Sequence, residues 1–339
     1  MFDLPLFVAR DELPVFLSGP ALQDAMFQKP EKIVGDWLCK GSLAMVFGAT
    51  GIGKSWFGLS VAVSIANGQD AFGWEVPNKR RIVYFDAEID PWDTQNRIKA
   101  LSPSGVPDEL VLCSGIRLEN GLPQLHEPEA QEGYLEVIEE QGAEVVVFDN
   151  LCSIVTSGSI SDDDVWLPIQ PFLNKLRQRG VAVIIVHHAG KTGDYLGSSR
   201  MTQNLDTVIK LEKPQSHDLQ NGAVFSIRFE KGRAVFGDAA TGVFAKLIKG
   251  PDGELEWDLG ELSSRDRSEE AMTQVVDAMQ SKKYASQMEV AEAVGMPQST
   301  VSVLLGKAAK NGYIGTMEAR ETFKEVKEMR KRELHPDDF

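Results

Sequence analysis

The sequence predicts an α/β protein in which a mostly parallel, twisted sheet is followed by antiparallel hairpins and a small winged-helix domain. Three observations carry this prediction. Short apolar runs alternate with helix-like segments, hairpin-like strands follow after about Met201, and a helix-turn-helix pattern comes after a segment rich in Ser, Arg, Asp and Glu. A chain of 339 residues is long enough for two domains.

The parallel part of the sheet is predicted from four nearly continuous apolar runs. They are residues 43–47, 82–85, 145–148 and 181–186. Strands of this kind are typical of a sheet that is covered on both faces. The intervening helices are predicted at residues 55–67, 129–141 and 165–179. Such strand–helix alternation favours right-handed crossovers between parallel strands.

The pattern after Met201 favours antiparallel hairpins. Residues 207–211 and 223–229 predict one hairpin, and a second is predicted through the turn at residues 250–253 into residues 255–259. We therefore assign residues 1–260, including an N-terminal lead-in, to the first domain.

The remaining residues predict a small helical domain. We interpret residues 261–270 as a linker, 271–318 as the winged-helix domain and 319–339 as a charged helical tail. The turn at residues 295–297 separates two predicted helices, and residues 311–314 are expected to enter a wing strand.

The composition excludes several classes of protein. An apolar content of 42% with 25% charged residues is typical of a folded chain. No apolar run approaches the roughly 18 residues of a membrane span, the first residues do not resemble a secretion signal, and the three cysteines show no CxxC spacing. We expect a cytoplasmic protein without a membrane partner, a disulfide framework or a zinc ribbon. The net charge of −15 excludes a basic nucleic-acid coat but leaves room for a local basic groove.

The strongest motif is a glycine-rich loop of the form GxxxxGK[ST], which directly follows the predicted strand 43–47. Backbone N–H groups in such a loop, together with the N-terminus of the next helix, hold phosphates. The predicted nucleotide-binding residues are Gly48, Ala49, Thr50, Gly51, Ile52, Gly53, Lys54, Ser55 and Trp56. Lys54 is expected to contact the β- and γ-phosphates of ATP, and Ser55 to bind Mg²⁺.

Polar side chains at the ends of other strands complete a candidate hydrolytic site. Asp149 is the second predicted Mg²⁺ ligand, because a carboxylate at the end of a parallel strand points toward the ligand crevice. Glu88 is the predicted group that polarises the attacking water, with Asp86 as its competitor. His187 and His188 are candidates for sensing the γ-phosphate, and their spacing leaves open which of them does so.

The order of these motifs resembles that of RecA-type ATPase cores. Within them it is most similar to the RepA family of hexameric replicative helicases of plasmids and phages and to the wider RepA-like AAA group, over about residues 30–240. The resemblance implies an ATP-hydrolysing ring, with a hexamer favoured, whose active sites are shared between subunits. Lys231 and Arg233 would then complete the neighbour's γ-phosphate pocket; a solvated basic hairpin tip is the alternative.

The resemblance also implies partners. Loops 150–165 and 189–201 are similar to central-channel loops that hold single-stranded DNA, although the acidic residues 161–164 are better explained as a helix N-cap. Separately from this resemblance, the predicted winged helix is expected to bind duplex DNA or a protein. Its candidate contact residues are Gln298, Ser299, Thr300, Ser302, Lys307 and Lys310.

The function implied by the resemblance is that of a DNA helicase or translocase for the replication of a plasmid, phage or mobile element. Two alternatives stay open. One is a nucleotide-switched DNA-binding regulator that does not unwind DNA, and the other is an accessory ATPase whose winged helix binds a partner protein.

Overall fold

The structure is a computed structural model that describes residues 19, 23, 27, 29–155, 166–190, 200–213, 223–250, 254–261, 264–315 and 317–334. The chain divides into two compact units, residues 1–31 and 32–339. The named strands and helices all lie in the second unit. None of the described helices is long and apolar enough to cross a bilayer.

Eleven described strands form two sheets. They are β1 (Lys32–Val34), β2 (Leu38–Cys39), β3 (Leu43–Gly48), β4 (Ile82–Asp86), β5 (Leu110–Ser114), β6 (Val145–Asp149), β7 (Ala182–His188), β8 (Thr207–Glu212), β9 (Val224–Gly232), β10 (Val243–Lys249) and β11 (Leu255–Glu261). β1 pairs with β2, and the others form one sheet in the order β11-β10-β9-β8-β3-β7-β6-β4-β5. This sheet is parallel from β8 to β5 and antiparallel from β8 to β11.

Helices cover both faces of the large sheet. They are α1 (Lys54–Asn67), α2 (Pro91–Leu101), α3 (Pro128–Glu140), α4 (Leu151–Ile154), α5 (Ile169–Gln178) and α6 (Arg200–Gln203), and a 3₁₀ turn spans Gly237–Ala240. Ala44 and Val46 of β3 belong to the core cluster that contains α1, whereas Met45 and Phe47 belong to the cluster that contains α3 and α5. Alternate side chains of one strand thus enter two cores, which explains the continuous apolar runs.

The α/β fold with a mostly parallel sheet confirms the predicted class. All four predicted parallel strands are present, and the antiparallel pairs β8–β9 and β10–β11 occur where hairpins were predicted. The connecting turns at residues 214–222 and 251–253 lie outside the described residues. β5 and α2 were not predicted from the sequence.

The C-terminal residues form a helical bundle. Its helices are α7 (Ser264–Gln280), α8 (Gln287–Val294), α9 (Gln298–Lys310) and α10 (Glu318–Leu334). They share a core that includes Met272, Val290 and Leu304. α8 and α9 are separated by a short turn, as the helix-turn-helix pattern predicts. The turn begins at Gly295, which ends α8 with a positive φ of 67°.

Three details of the C-terminal prediction differ from the structure. α7 begins at Ser264, inside the segment predicted as a linker. The residues predicted to enter a wing strand, 311–314, form a turn, and no strand occurs among the described residues after β11. The predicted tail is α10, whose Phe323 packs against the bundle core because apolar residues recur at helical spacing.

Candidate active site

The phosphate-binding loop joins β3 to α1 and needs glycine for steric reasons. Gly53 has a φ of 109°, and a Cβ there would lie 2.8 Å from the Cβ of Ala223. A Cβ on Gly48 would lie 2.7 Å from the carbonyl oxygen of Leu211. Both distances are too short for any side chain, so the neighbouring strands shape the loop before a ligand enters.

The Lys54 side chain folds back over this loop. Its Nζ donates to the carbonyl oxygens of Gly48 at 3.1 Å and Ala49 at 3.0 Å, and the residue is only 6% exposed. Burial lowers the pKa of Lys54, while the charges of Glu88 and Asp149 act in the opposite direction. The ammonium is therefore already positioned at the loop, between backbone carbonyls and two carboxylates.

Asp149 and Ser55 fit the Mg²⁺ that a phosphate-binding loop requires. Asp149 ends β6, is 1% exposed, and accepts a hydrogen bond from the Tyr84 hydroxyl at 2.6 Å through Oδ2. Its Oδ1 is buried and has no hydrogen-bond partner among the described residues. Burial raises the pKa of Asp149 to about 6, against the lowering effect of the Tyr84 hydrogen bond and of the neighbouring Ser55 hydroxyl. A buried oxygen without a partner beside the Ser55 hydroxyl suits a hard cation.

The described residues offer no cluster of three or more His, Cys, Asp or Glu side chains that could hold a metal ion alone. Mg²⁺ commonly takes one or two protein ligands and completes its coordination with water and substrate phosphate. Ser55 and Asp149 are such a pair.

Glu88 and Asp86 have clearly different surroundings. Asp86 is fully buried, its Oδ1 accepts from the backbone N–H groups of Glu88 and Ile89, and its Oδ2 accepts from the Thr94 hydroxyl. The side chain of Glu88 is 44% exposed, and its Oε2 accepts from the amide of Asn150. Asp86 thus shapes the turn after β4, and the geometry favours Glu88 as the carboxylate available to a water molecule.

The two histidines at the end of β7 face opposite sides of the sheet. His187 is fully buried, and its Nδ1 lies 3.5 Å from the Cys152 thiol. His188 pairs in register with Gly48, and its Nε2 lies 4.0 Å from Glu88 Oε2. Burial, and next the Lys54 charge, lower the pKa of His188. His188 is therefore the histidine that adjoins the candidate site, as a neutral imidazole at pH 7.

The phosphate-binding loop lies at the edge of the sheet where the parallel strands end. Lys231 and Arg233 lie at the opposite edge, where the parallel strands begin. Gly232 pairs with Thr207, the first residue of β8, whereas Gly48 pairs with Leu211 near its end. This register separates the two positions by about 13 Å along the strand. The structure does not bring these two cations to the loop of their own chain.

Both cations are held at that edge by hydrogen bonds. Lys231 Nζ donates to the carbonyl oxygens of Thr202 at 2.6 Å and Gln203 at 3.1 Å. Arg233 pairs with Asp206 at 3.1 Å and donates to the Gln203 carbonyl oxygen. Burial, followed by the Arg233 charge, lowers the pKa of Lys231. Both cations thus have hydrogen-bond partners within their own chain, while the Arg233 side chain is 54% exposed.

Two predicted regions are only partly tested by the structure. Trp56 lies in the first turn of α1 with the Arg97 guanidinium 4.9 Å from its ring centroid. Of the predicted channel loops, residues 156–165 and 191–199 lie outside the described residues.

Two residues of the site, Tyr84 and Asn150, are not predicted as site residues from the sequence. Tyr84 lies within an apolar run, so nothing in the pattern distinguishes its hydroxyl from a core side chain. Asn150 follows Asp149 through a cis peptide bond and forms the N-cap of α4, with Oδ1 accepting from the Ser153 N–H at 3.0 Å. The position of Asn150, a polar residue directly after the Asp that ends β6, is the sequence signal that could have located it.

Comparison with known proteins identifies the family. A family model described as an AAA domain matches residues 12–194, more than half of the 339 residues. The match includes the phosphate-binding loop, Glu88, Asp149 and both histidines. No curated protein matches the sequence. With this match and a phosphate-binding loop set in a mostly parallel sheet, the chain belongs to the AAA domain family of P-loop ATPases.

Proposed function

We propose that the protein is a Mg²⁺-dependent, ring-forming DNA helicase or translocase driven by ATP hydrolysis, serving the replication of a plasmid, phage or mobile element. One observation carries the ring: the phosphate-binding loop and the basic pair Lys231–Arg233 lie at opposite edges of one sheet. A head-to-tail arrangement of copies places the basic pair of one at the loop of the next. A hexamer is favoured by the resemblance to RepA-type rings.

The residues of one chain supply most of the hydrolytic chemistry. Backbone N–H groups of the loop and Lys54 bind the phosphates. Glu88, oriented by the Asn150 amide, accepts a hydrogen bond from the attacking water. Mg²⁺ bound by Ser55 and Asp149 would neutralise phosphate charge. His188 lies beside Glu88 and can report the γ-phosphate to the loop that follows β7.

Arg233 supplies the remaining positive charge from the neighbouring copy. Its side chain is 54% exposed, so the guanidinium can exchange its Asp206 contact for a phosphate oxygen. A planar, permanently charged guanidinium suits the charge that spreads over a phosphoryl group during transfer, which is worth about 10³–10⁵ in rate.

Subunit mixing tests this proposal. Lys54→Ala and Arg233→Ala should each abolish hydrolysis, and mixing the two variants should restore part of it, because some interfaces then combine an intact loop with an intact arginine. Mixing Lys54→Ala with a chain that carries both substitutions is the matched control and should restore nothing. Absence of recovery at every mixing ratio would contradict a shared site.

Strand displacement tests the DNA-dependent part. Wild-type protein should separate a short duplex with a single-stranded tail in the presence of ATP, and Lys54→Ala should not. Hydrolysis without displacement on either tail polarity would contradict unwinding.

A nucleotide-switched regulator is the second candidate, and α9 favours it. Its exposed face carries no acidic side chain although the chain has a net charge of −15. The exposed polar residues of α9 are Gln298, Ser299, Thr300, Ser302, Lys307 and Lys310. Stable binding to duplex DNA without displacement would support this candidate.

An accessory ATPase that binds a protein is the third candidate. Met288, Val303 and Tyr313 of the helical bundle are more than half exposed, and apolar side chains of this size also suit a protein partner. Failure to bind either single- or double-stranded DNA at low salt would support it.

A further inference from the structure

An exposed apolar patch lies directly beside the candidate active site. Trp92 is 65% exposed, Ile116 45% and Leu118 54%. The Arg117–Asp90 ion pair joins the two segments that carry them: Arg117 donates to Asp90 at 2.8 and 3.0 Å, and Asp90 also accepts from the Trp92 N–H. We call these three apolar side chains the Trp92 patch.

The patch lies in the segments that follow two paired strand ends of the candidate site, because Asp86 at the end of β4 pairs with Ser114 at the end of β5. Asp90 is the N-cap of α2 and follows Glu88 by two residues. β5, which leads to Ile116, is the edge strand of the large sheet, so its end has solvent on one side. A partner that binds at the carboxyl ends of β4 and β5 can therefore contact the Trp92 patch.

Phe236 is the matching apolar side chain at the other edge. It is 80% exposed, the highest value among the large apolar side chains of the described residues. The segment that leads to it is held in place, because Arg233 pairs with Asp206 and Val235 packs against the sheet core. The 3₁₀ turn Gly237–Ala240 follows. Phe236 is thus presented to solvent by an ordered backbone.

We propose that Phe236 of one copy docks on the Trp92 patch of the next copy and thereby positions Arg233 at the neighbour's site. This inference rests on the ring described under the proposed function and adds the contact that sets its register. Trp92 and Phe236 are exposed in the single chain, and a head-to-tail contact buries both.

Chain geometry permits both contacts at once. Phe236 follows Arg233 by three residues, which span at most about 10 Å, and Trp92 follows Glu88 by four, which span at most about 14 Å. An arginine beside Glu88 therefore leaves Phe236 within reach of the Trp92 patch.

Charge is complementary around the proposed contact. The edge that carries the patch presents Glu88 at the mouth of a site that also contains the buried Asp86 and Asp149. The other edge presents Lys231 and Arg233, of which Arg233 is paired with Asp206. Within the patch itself Arg117 and Asp90 offset each other's charge. Opposite charges at the two edges favour a head-to-tail over a head-to-head arrangement.

A double-mutant cycle that introduces opposite charges at the two positions tests the contact. Phe236→Lys and Trp92→Glu are made singly and together, and self-association is measured by sedimentation velocity with Mg²⁺ and a non-hydrolysable ATP analogue. We expect each single variant to associate at least about tenfold more weakly, as for an aromatic hot spot, and the double variant to recover. Met329→Lys, which adds the same charge at an exposed apolar position of α10, is the matched control and should associate like the wild type.

The outcomes separate this contact from the ring itself. A wild-type ring that is unaffected by either single substitution, or single losses that the double variant does not repair, would overturn the pairing while leaving the proposed function intact. A wild-type protein that stays monomeric with nucleotide and single-stranded DNA would overturn both. Circular dichroism spectra of the single variants that match the wild type exclude misfolding as the cause of weak association.

Discussion

The buried carboxyl of Asp149 is expected to make the stability of the fold depend on pH. Its pKa is raised to about 6 in the folded chain, above that of an unfolded aspartate, chiefly by burial. The folded state then binds more protons than the unfolded state between about pH 4 and 6, so stability falls as pH rises through this range. Above it the ionised, buried carboxylate destabilises the metal-free fold.

Asp149→Asn should therefore unfold at a higher temperature than wild type at pH 7.5 in EDTA. The gain should be about 2 kcal/mol, since the neutral amide can still accept from Tyr84. It should shrink toward pH 5, because the wild-type carboxyl is then protonated and neutral as well. Differential scanning calorimetry across this range measures it. A variant that melts below wild type at every pH would contradict the assignment.

Substitutions of Glu88 and Asp86 should have different effects, the first on hydrolysis and the second on stability. Glu88→Gln should still bind ATP but hydrolyse it at least about 100-fold more slowly, because the side chain no longer acts as a base. Asp86→Asn, its matched control, should chiefly lower the unfolding temperature, because Asp86 holds two N–H groups and the Thr94 hydroxyl. Calorimetric ATP titration and single-turnover hydrolysis separate the two effects. Equal hydrolysis in Glu88→Gln and wild type would transfer the role to another group.

The predictability of each strand and helix followed its burial. β3, β4, β6 and β7 are buried on both faces, so continuous apolar runs revealed them. β5 is an edge strand with half-buried side chains, and α2 buries only Thr94 and Ile98. Such segments leave little periodicity to detect, although Asp90 followed by Pro91 is a helix-start signal that could have located α2.

The phosphate-binding loop allows a matched pair of glycine substitutions. Gly51 has a φ of 78° but no atom within 4 Å of a Cβ built there, whereas Gly53 combines a φ of 109° with a contact at 2.8 Å. Gly51→Ala should cost about 1 kcal/mol from the backbone conformation alone. Gly53→Ala should cost more and should also abolish ATP binding. Thermal unfolding and calorimetric titration compare them, and equal costs would contradict the steric argument.

The C-terminal helices act together as one bundle. α10 places Val326, which is 3% exposed, toward the bundle and Met329, which is 50% exposed, toward solvent. Val326→Asp should expose residues after 264 to protease while ATP binding persists, because a buried unpaired carboxylate is costly. Met329→Asp should leave the digestion pattern unchanged. Identical patterns for both variants would mean that α10 is a dispensable tail.

The sequence predicts the site residue by residue, from the ends of separate strands and the start of one helix. Lys54, Glu88, Asp149 and the histidines were found because each ends a strand or starts a helix, and parallel strands gather such ends at one edge. Their hydrogen-bond partners Tyr84 and Asn150 depend on rotamers and on the path of the chain after β6. Local sequence pattern contains neither.

The hydrogen bonds of Lys54 have a consequence for ligand discrimination. Its ammonium donates to two carbonyl oxygens of its own chain, so an anion that binds there replaces existing bonds instead of adding new ones. The net gain then comes from charge, and it grows with the number of phosphate groups that reach the lysine. Inorganic sulfate and nucleoside monophosphates should compete poorly with triphosphates for this loop, even at millimolar concentration.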